Sequence, residues 1–407
     1  MRLRLPITVT LVALILTACA GRPQPVSTPA TPPSAPAAAP ASAPQDDGGT
    51  AAVKQADALM VAGKYTEGIN LLYDTLGKHP ENAAAWELLT FGYNQLERYD
   101  PAMVAGLRAA ALAPSSPAAQ FNAGLALAFG GSDQAAKHLE AAVNANPQPY
   151  TFYLLGSAYP AKEALAVFEK GLQQFPDSVD LKRGKAVAAS DINMDGKPDQ
   201  LAVTMDTVII KNGTDGSELL NRKYDHPGNL QASIVDLGGP GPAVLINQPP
   251  MQAWVLGWDG KALATWGGLG GYVYYVPSTR ELHATIMDRE KGQSTGQSFR
   301  MKDGKLTVVR VTVSSFKGAE PLPANPLELN AALAGPNAAH AFGDSPQSLF
   351  DKLQSLPAGA LRGIILLPEP GGKYRLELHA DGALRATATA TVATDGQTCL
   401  IKEFTWR

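Results

Sequence analysis

Four oxygen-bearing side chains and a glycine in one nine-residue stretch carry the clearest chemistry in this chain. In Asp191-Ile192-Asn193-Met194-Asp195-Gly196-Lys197-Pro198-Asp199 the side-chain oxygens fall at positions 1, 3, 5 and 9, with glycine at 6. A hard cation that takes roughly six to eight oxygen ligands asks for such an alternation. Asp191, Asn193, Asp195 and Asp199 would supply side chains, Lys197 its backbone carbonyl, and Gly196 the sharp reversal of the chain. Position 12, where a bidentate carboxylate would close the shell, is Ala202. The expectation is a structural Ca²⁺ site. The alternative is an Asx-rich turn that needs no metal.

Elsewhere the catalytic patterns are missing. The six histidines (His79, His138, His226, His283, His340 and His379) include no pair at metal-binding spacing and no HExxH. No GxSxG elbow, P-loop or GxGxxG is present. Gly267-Gly268-Leu269-Gly270-Gly271 leads into the apolar run Tyr272–Val276 and not a helix, so it reads as a flexible loop and not a phosphate cradle. Asp225-His226 is an acid–imidazole neighbour pair in a loop, and Asn212-Gly213-Thr214 fits a glycosylation sequon but reads first as a turn. Cys399, in the strand-like run Thr398-Cys399-Leu400-Ile401, is expected to be a small buried residue. A net charge of −3 without a basic patch excludes an electrostatic pull toward nucleic acid. The chain makes no positive case for catalysis.

A second residue with chemistry is Cys19. Arg2 and Arg4 precede an uncharged apolar run, Leu5 to Leu16, and then Thr17-Ala18-Cys19. That run is too short for the ~20 residues of a membrane-spanning helix and has the build of a secretory signal. The ending resembles a bacterial lipobox. The resemblance implies cleavage before Cys19, a thioether to diacylglycerol on its thiol and acylation of its new amino group. Several chains anchor durably where one is marginal. Ala20 follows, and not the aspartate of the family's inner-membrane retention signal. An outer-membrane, periplasm-facing lipoprotein is therefore expected. Residues 1–18 are the signal and 19–49 a tether, with eight prolines among Ala, Ser, Thr and Gln. Such a segment buries too little surface to offset its ordering entropy. At ~3.1 Å per residue it could reach about 90 Å.

Residues 50–182 read as helical pairs. Pro80, Pro114, Pro147 and Pro176 recur at spacings of 34, 33 and 29 residues, each after a helical pair. Gly68 and Leu72, then Trp86, Leu89, Tyr93, Tyr99, Ala102 and Ala109, then Gly124, Ala135 and Ala142, then Leu155, Gly156, Tyr159, Ala164, Phe168 and Gly171, place small residues at crossings and large ones between neighbours. The pattern resembles the tetratricopeptide repeat, with four units, the last of them short and interrupted by Pro160. In that family the first helix of each unit lines a concave groove. Here the matching positions include Glu87 and Phe91, then Phe121, Leu125 and Phe129, then Tyr153 with Tyr150 nearby. The family's carboxylate-gripping clamp is not found at them. This apolar and aromatic surface would receive a protein partner, or be filled by the chain's own β domain or linker.

From residue 183 short strands alternate with glycine-rich turns. Expected strands are Lys185–Ala189, Gln200–Met205, Val208–Lys211, Leu230–Val235, Ala243–Asn247, Ala253–Trp258, Val273–Val276, His283–Met287 and Leu306–Val313. Asp215-Gly216, Asp259-Gly260 and Asp303-Gly304 mark hairpins. The oxygen-rich loop and its flanks, Ala186 to Val203, resemble the calcium loops of FG-GAP-type β-propellers. Asp236-Leu237-Gly238-Gly239-Pro240-Gly241 is a blade-loop echo without the ligands, and Ala253–Lys261 resembles an outer blade hairpin. Residues 320–407 hold a Pro/Ala/Asn-rich linker, a helix from Pro346 to Leu356 capped by Ser345, and strands Gly363–Leu367, Tyr374–His379, Leu384–Val392 and Cys399–Trp406. They form a small α+β module or close the same β domain.

The fold class is thus multidomain α + β: a tetratricopeptide α-solenoid, then a mostly-β domain at 183–319, propeller-blade-like or of open antiparallel sheets. The function that follows is a non-enzymatic scaffold or assembly factor of the bacterial cell envelope. The alternative is an envelope enzyme regulator, or a small-ligand or glycan module using Trp254, Trp258 and Trp266. Those three fall in strand hairpins and read first as core.

Overall fold

Prolines set the rhythm of the helical half. The structure, a computed structural model, describes residues 48–224, 230–248, 252–288, 293–302, 304–315, 329–334, 342, 347–357, 360–394 and 399–406. Cys19, the signal, most of the tether, Asp225-His226, Asp303, Ser345 and the turn at Asp395-Gly396 lie outside these residues, as does the side chain of Cys399.

Nine helices come first: α1 Thr50–Val61, α2 Tyr65–Lys78, α3 Ala83–Gln95, α4 Tyr99–Leu112, α5 Pro117–Phe129, α6 Ala135–Ala145, α7 Pro149–Ser157, α8 Ala161–Gln174 and α9 Val179–Ala188. Each even-numbered helix ends two residues before one of the four periodic prolines. The intervening residues, His79, Ala113, Asn146 and Phe175, have φ of −128°, −130°, −147° and −129°, outside the helical well. A following proline excludes the helical conformation there, so it stops the helix. The next helix starts on a side-chain cap at Asn82, Ser116 and Ser178. Within each pair small residues let the helices close. A Cβ on Gly156 would lie 2.4 Å from the Phe168 ring, so only glycine admits α8 there.

Four pairs make the solenoid, and α9 stacks on α7 and α8 as a lone fifth first helix. The strand expected at Lys185–Ala189 is the last turn of that helix, and the boundary expected at 182 falls inside it. Ser178 caps α9, and Leu181, Arg183, Gly184 and Ala186 are buried. Tertiary packing outweighs the strand-like texture of Ala186-Val187-Ala188.

The strands follow in three consecutive antiparallel meanders. They are β1 Gln200–Val203, β2 Thr207–Lys211 and β3 Glu218–Lys223; then β4 Gln231–Val235, β5 Ala243–Gln248, β6 Gln252–Trp258 and β7 Leu263–Gly270; then β8 Tyr272–Val276, β9 Glu281–Asp288, β10 Gln293–Lys302 and β11 Lys305–Ser315. The sheets stack face to face. On β5, Val244 and Ile246 join Val208, Ile210 and Tyr224 of the first meander, while Ala243 and Leu245 join Val273, Leu282 and Phe299 of the third. Period-two alternation buries both faces of the middle sheet.

Three strands, β3, β7 and β10, carry no strand-like pattern in the sequence. β3 is polar, β10 mostly polar, and β7 holds Gly267, Gly268 and Gly270, expected as a flexible loop. Pairing with β6 from Gln252↔Gly270 to Trp258↔Leu263 supplies the order that composition lacks.

The C-terminal part comprises α10 Leu329–Ala334, α11 Gln347–Gln354, and the meander β12 Arg362–Glu369, β13 Lys373–Ala380, β14 Ala383–Thr394 and β15 Cys399–Trp406. It does not complete a ring of blades. β12 packs on α2, α4 and α10, where Ile365 and Leu367 enter the same core as Leu72, Trp86 and Val104. A Cβ on Gly363 would sit 2.3 Å from Val104, so this glycine sets the approach of sheet to helix. Among the described residues no helix is long and apolar enough to cross a membrane.

Candidate functional site

The expected groove residues lie on α3, α5 and α7, the first helices of their pairs. Phe91 packs on Tyr65 at 6.5 Å, Phe121 on Tyr150 at 6.4 Å, and Phe129 on Tyr99 at 5.1 Å between ring centroids. Phe91, Phe121, Leu125 and Phe129 are half-buried, and Tyr150 is 43% exposed. Tyr153 differs, at only 2% exposed.

What covers Tyr153 is the chain's own β8–β9 turn, Pro277-Ser278-Thr279-Arg280. The Ser278 hydroxyl donates to the Ala128 carbonyl of α5 at 3.0 Å, and the Tyr153 hydroxyl of α7 to the Pro277 carbonyl at 3.5 Å. The Arg280 guanidinium lies over the Tyr153 ring, 3.7 Å from its centroid. Arg280 also donates to Asp180 of α9 at 2.9 Å. Three successive first helices therefore grip one turn.

Beside it runs a buried charge network. Arg183 of α9 donates to Asp236 of the β4–β5 loop, to the Gly239 carbonyl at 2.9 Å and to Asp180 at 2.6 Å. Arg183 is 3% and Asp236 2% exposed. Arg280 Nε is 3.6 Å from Asp236 Oδ2, and Tyr275 exchanges hydrogen bonds with the Asp236 backbone. Burial, then the nearby Asp236 charge, push the Tyr153 hydroxyl up to about 12. Burial works to raise the Asp180 carboxyl, but Arg280 and Arg183 outweigh it and hold it below its ordinary value. The buried Arg183–Asp236 pair, with Arg280 and the half-exposed Asp180 beside it, fixes one docking geometry for helices and sheets. None of these charged residues stands in a chemical motif in the sequence. The Asp236 loop lacks the alternating oxygens of a cation loop and anchors an arginine instead.

In the oxygen-rich loop, Asp191 Oδ1 and Asn193 Oδ1 both accept the Asp195 N–H, at 3.0 and 3.1 Å, and Asp191 Oδ2 accepts the Gly196 N–H at 2.9 Å. Asp191 and Asn193 thus converge. Asp199 accepts N–H groups of Ile192 at 2.8 Å and Asn193 at 3.4 Å within the loop, and of Gly213 at 2.9 Å beyond it. Asp195 takes the Lys197 N–H and the Thr214 hydroxyl, both at 2.9 Å. Among the described residues no three His, Cys, Asp or Glu side chains are grouped to hold a metal. The side chains of Asn193 and Asp195 already meet: Asp195 Oδ2 accepts from Asn193 Nδ2 at 3.0 Å as well as from Thr214, so the loop is held by its own hydrogen bonds.

Two further clusters merit chemistry. Ser298 Oγ lies 3.5 Å from His283 Nδ1, and His283 Nε2 3.1 Å from Glu281, in the order of nucleophile, base and acid. Arg300 holds Glu281 at 2.7 Å, Tyr274 stacks on the imidazole, and Ser298 is buried. An attacking hydroxyl needs an open space beside it, so this row is cross-strand packing. On β13, buried Glu377 meets Arg375 at 2.8 Å and His379 at 3.0 Å. Arg375 reaches the Leu76 and Gly77 carbonyls at the end of α2, at 3.3 and 3.5 Å, and His379 sits against Trp86. This cluster ties the C-terminal sheet to the solenoid. Of the tryptophans, Trp254 packs on Tyr224 at 4.5 Å and Trp266 lies across Gly257.

No protein-family model matches the chain, and no curated protein matches it. Solved structures similar to its helical region include MamA from Desulfovibrio magneticus RS-1, at 19% identity over 35% of this chain and 84% of that one, TM-score 0.32. Another is YrrB, described as a TPR protein with an unusual peptide-binding site, at 26% identity over 32% and 71%, TM-score 0.30. The repeat architecture itself rests on the helical pairs described above.

Proposed function

We propose that this protein is a scaffold of the bacterial cell envelope, held to the outer membrane by lipid on Cys19 and facing the periplasm. The observation that carries the scaffold reading is the row of half-buried and exposed aromatics, Phe91, Phe121 and Tyr150, on the first helices of a four-pair solenoid. Flat aromatic surface on a rigid frame suits partner anchors. The β meanders serve to brace the solenoid, and the Asp191–Asp199 loop would bind Ca²⁺ as a structural ion at the junction of α9 and β1. The envelope assignment rests on the Arg2–Cys19 segment alone.

A photocrosslinking residue placed at 121 or 150, and at exposed Met205 between β1 and β2 as a control, tests it in cells. A discrete adduct from 121 and 150, absent from 205 and lost when Cys19→Ser strands the chain away from its membrane, is the expected result. Equal adducts at all three positions would remove the groove from the account. Entry of radiolabelled palmitate into Cys19→Ser as into wild type would remove the anchor.

A further inference from the structure

The Pro277–Arg280 turn occupies the groove as a ligand would, yet it fits imperfectly. Arg280 has φ 56°, a left-handed conformation that a non-glycine residue adopts only under strain. Its Nη2 is buried without a hydrogen-bond partner among the described residues, and so is Asp236 Oδ2, which Arg280 Nε approaches only to 3.6 Å. An unmade bond to a buried charged donor weakens the contact. The groove side is the better-made half: the Tyr153 face, the Asp180 carboxylate and the Ala128 carbonyl present a stacking plane, a charge and an acceptor in one line. Arg183 also bonds Asp236 and the Gly239 carbonyl, so the helices keep a hold on the β4–β5 loop when the turn opens locally.

We infer that the α5–α7–α9 stretch of the groove is an arginine receptor kept shut by the chain's own turn, and that its partner is a peptide presenting arginine on a tight turn. Charge complementarity selects the occupant. Asp180 and the π-face of Tyr153 favour a planar cation, and guanidinium stacks where an ammonium does not. The inference rests on the reading of the solenoid as a partner-binding surface, and makes that surface switchable. An intramolecular turn competes at an effective concentration in the millimolar range. Occupation by a partner therefore requires either high local concentration or loss of the internal arginine.

The probe is a Pro-Ser-Thr-Arg amide carrying fluorescein on its N-terminal nitrogen, with its citrulline counterpart as the neutral isostere, titrated into the full chain by anisotropy. Arg280→Ala should bind the arginine peptide at least about tenfold more tightly than wild type, ignore the citrulline peptide, and lose binding when Asp180→Asn is added. A folded Arg280→Ala chain that ignores the peptide, or binds both peptides alike, overturns the receptor. If Arg280→Ala fails to fold, wild type is titrated with unlabelled peptide into the millimolar range while amide exchange at 278–280 is followed. Faster exchange supports the displaceable turn, and unchanged exchange overturns it. Persistence of crosslinks from position 121 without peptide binding sinks the receptor alone. Peptide binding without crosslinks sinks the scaffold reading alone.

Discussion

Asp236→Ala is the sharpest perturbation of the seam between helices and sheets. Asp236 is 2% exposed, accepts from Arg183 and from the Gly238 N–H at 2.8 Å, and faces Arg280. Truncation leaves two guanidinium groups around an empty space. Breaking a buried ion pair by removing one partner costs about 3–5 kcal/mol. Asp236→Asn keeps the shape and one acceptor but removes the charge. Hydrogen bonds to charged groups contribute about 1.5–3 kcal/mol and neutral ones about 1, so its cost is about 0.5–2 kcal/mol. Arg183→Met with Asp236→Leu fills the same volume with apolar groups and should recover part of the loss of Asp236→Ala. Urea melts of the full chain, followed by tryptophan fluorescence and circular dichroism, give the three values, and coincidence of the two probes checks cooperativity. Amide exchange at 278–280 should accelerate in Asp236→Ala as the neighbouring turn loosens. If Asp236→Ala melts within about 0.5 kcal/mol of wild type, the scatter of ordinary surface substitutions, the network does not couple the two halves.

Gly363→Ala places a Cβ 2.3 Å from Val104 and should loosen the C-terminal sheet by about 1–3 kcal/mol; unchanged resistance of β12–β15 to limited proteolysis would contradict this. Burial works to raise the Glu377 carboxyl, but His379 and Arg375 outweigh it and hold it below its ordinary value. A depressed folded pKa stabilises above the unfolded value of about 4.3 and that contribution is lost as pH falls through the folded value. Urea midpoints from about pH 7 to pH 3 should then drop more steeply in wild type than in Glu377→Gln, and parallel curves would refute the pairing. Calcium at about tenfold to hundredfold over its dissociation constant should stabilise the fold by about 1.4–2.7 kcal/mol. The comparison is a melt in chelator and in calcium, with Asp195→Ala beside it; three identical melts leave a hydrogen-bonded turn and no ion site.

Local chemistry made much of the architecture legible in the sequence. The prolines at 80, 114, 147 and 176 mark where helices stop because a pre-proline residue cannot be helical, and that effect spans two residues. Strands such as Ala243–Gln248 and Tyr272–Val276 announce themselves through apolar and β-branched side chains. Asp215-Gly216 and Asp259-Gly260 turn where their backbone freedom allows. The aromatic set on the first helices follows from helical spacing within each repeat. Tertiary structure decided the rest. Polar β10 and glycine-rich β7 are strands because neighbouring ladders recruit them. Lys185–Ala188 is helical because α7 and α8 offer it a surface. Most of all, nothing local says that Arg183 meets Asp236 53 residues on, that Arg280 returns to Asp180 across 100, or that Ser278 reaches Ala128 across 150. A groove-lining tyrosine in the sequence became a buried one in the fold because the Pro277–Arg280 turn, distant in sequence, packs over its ring.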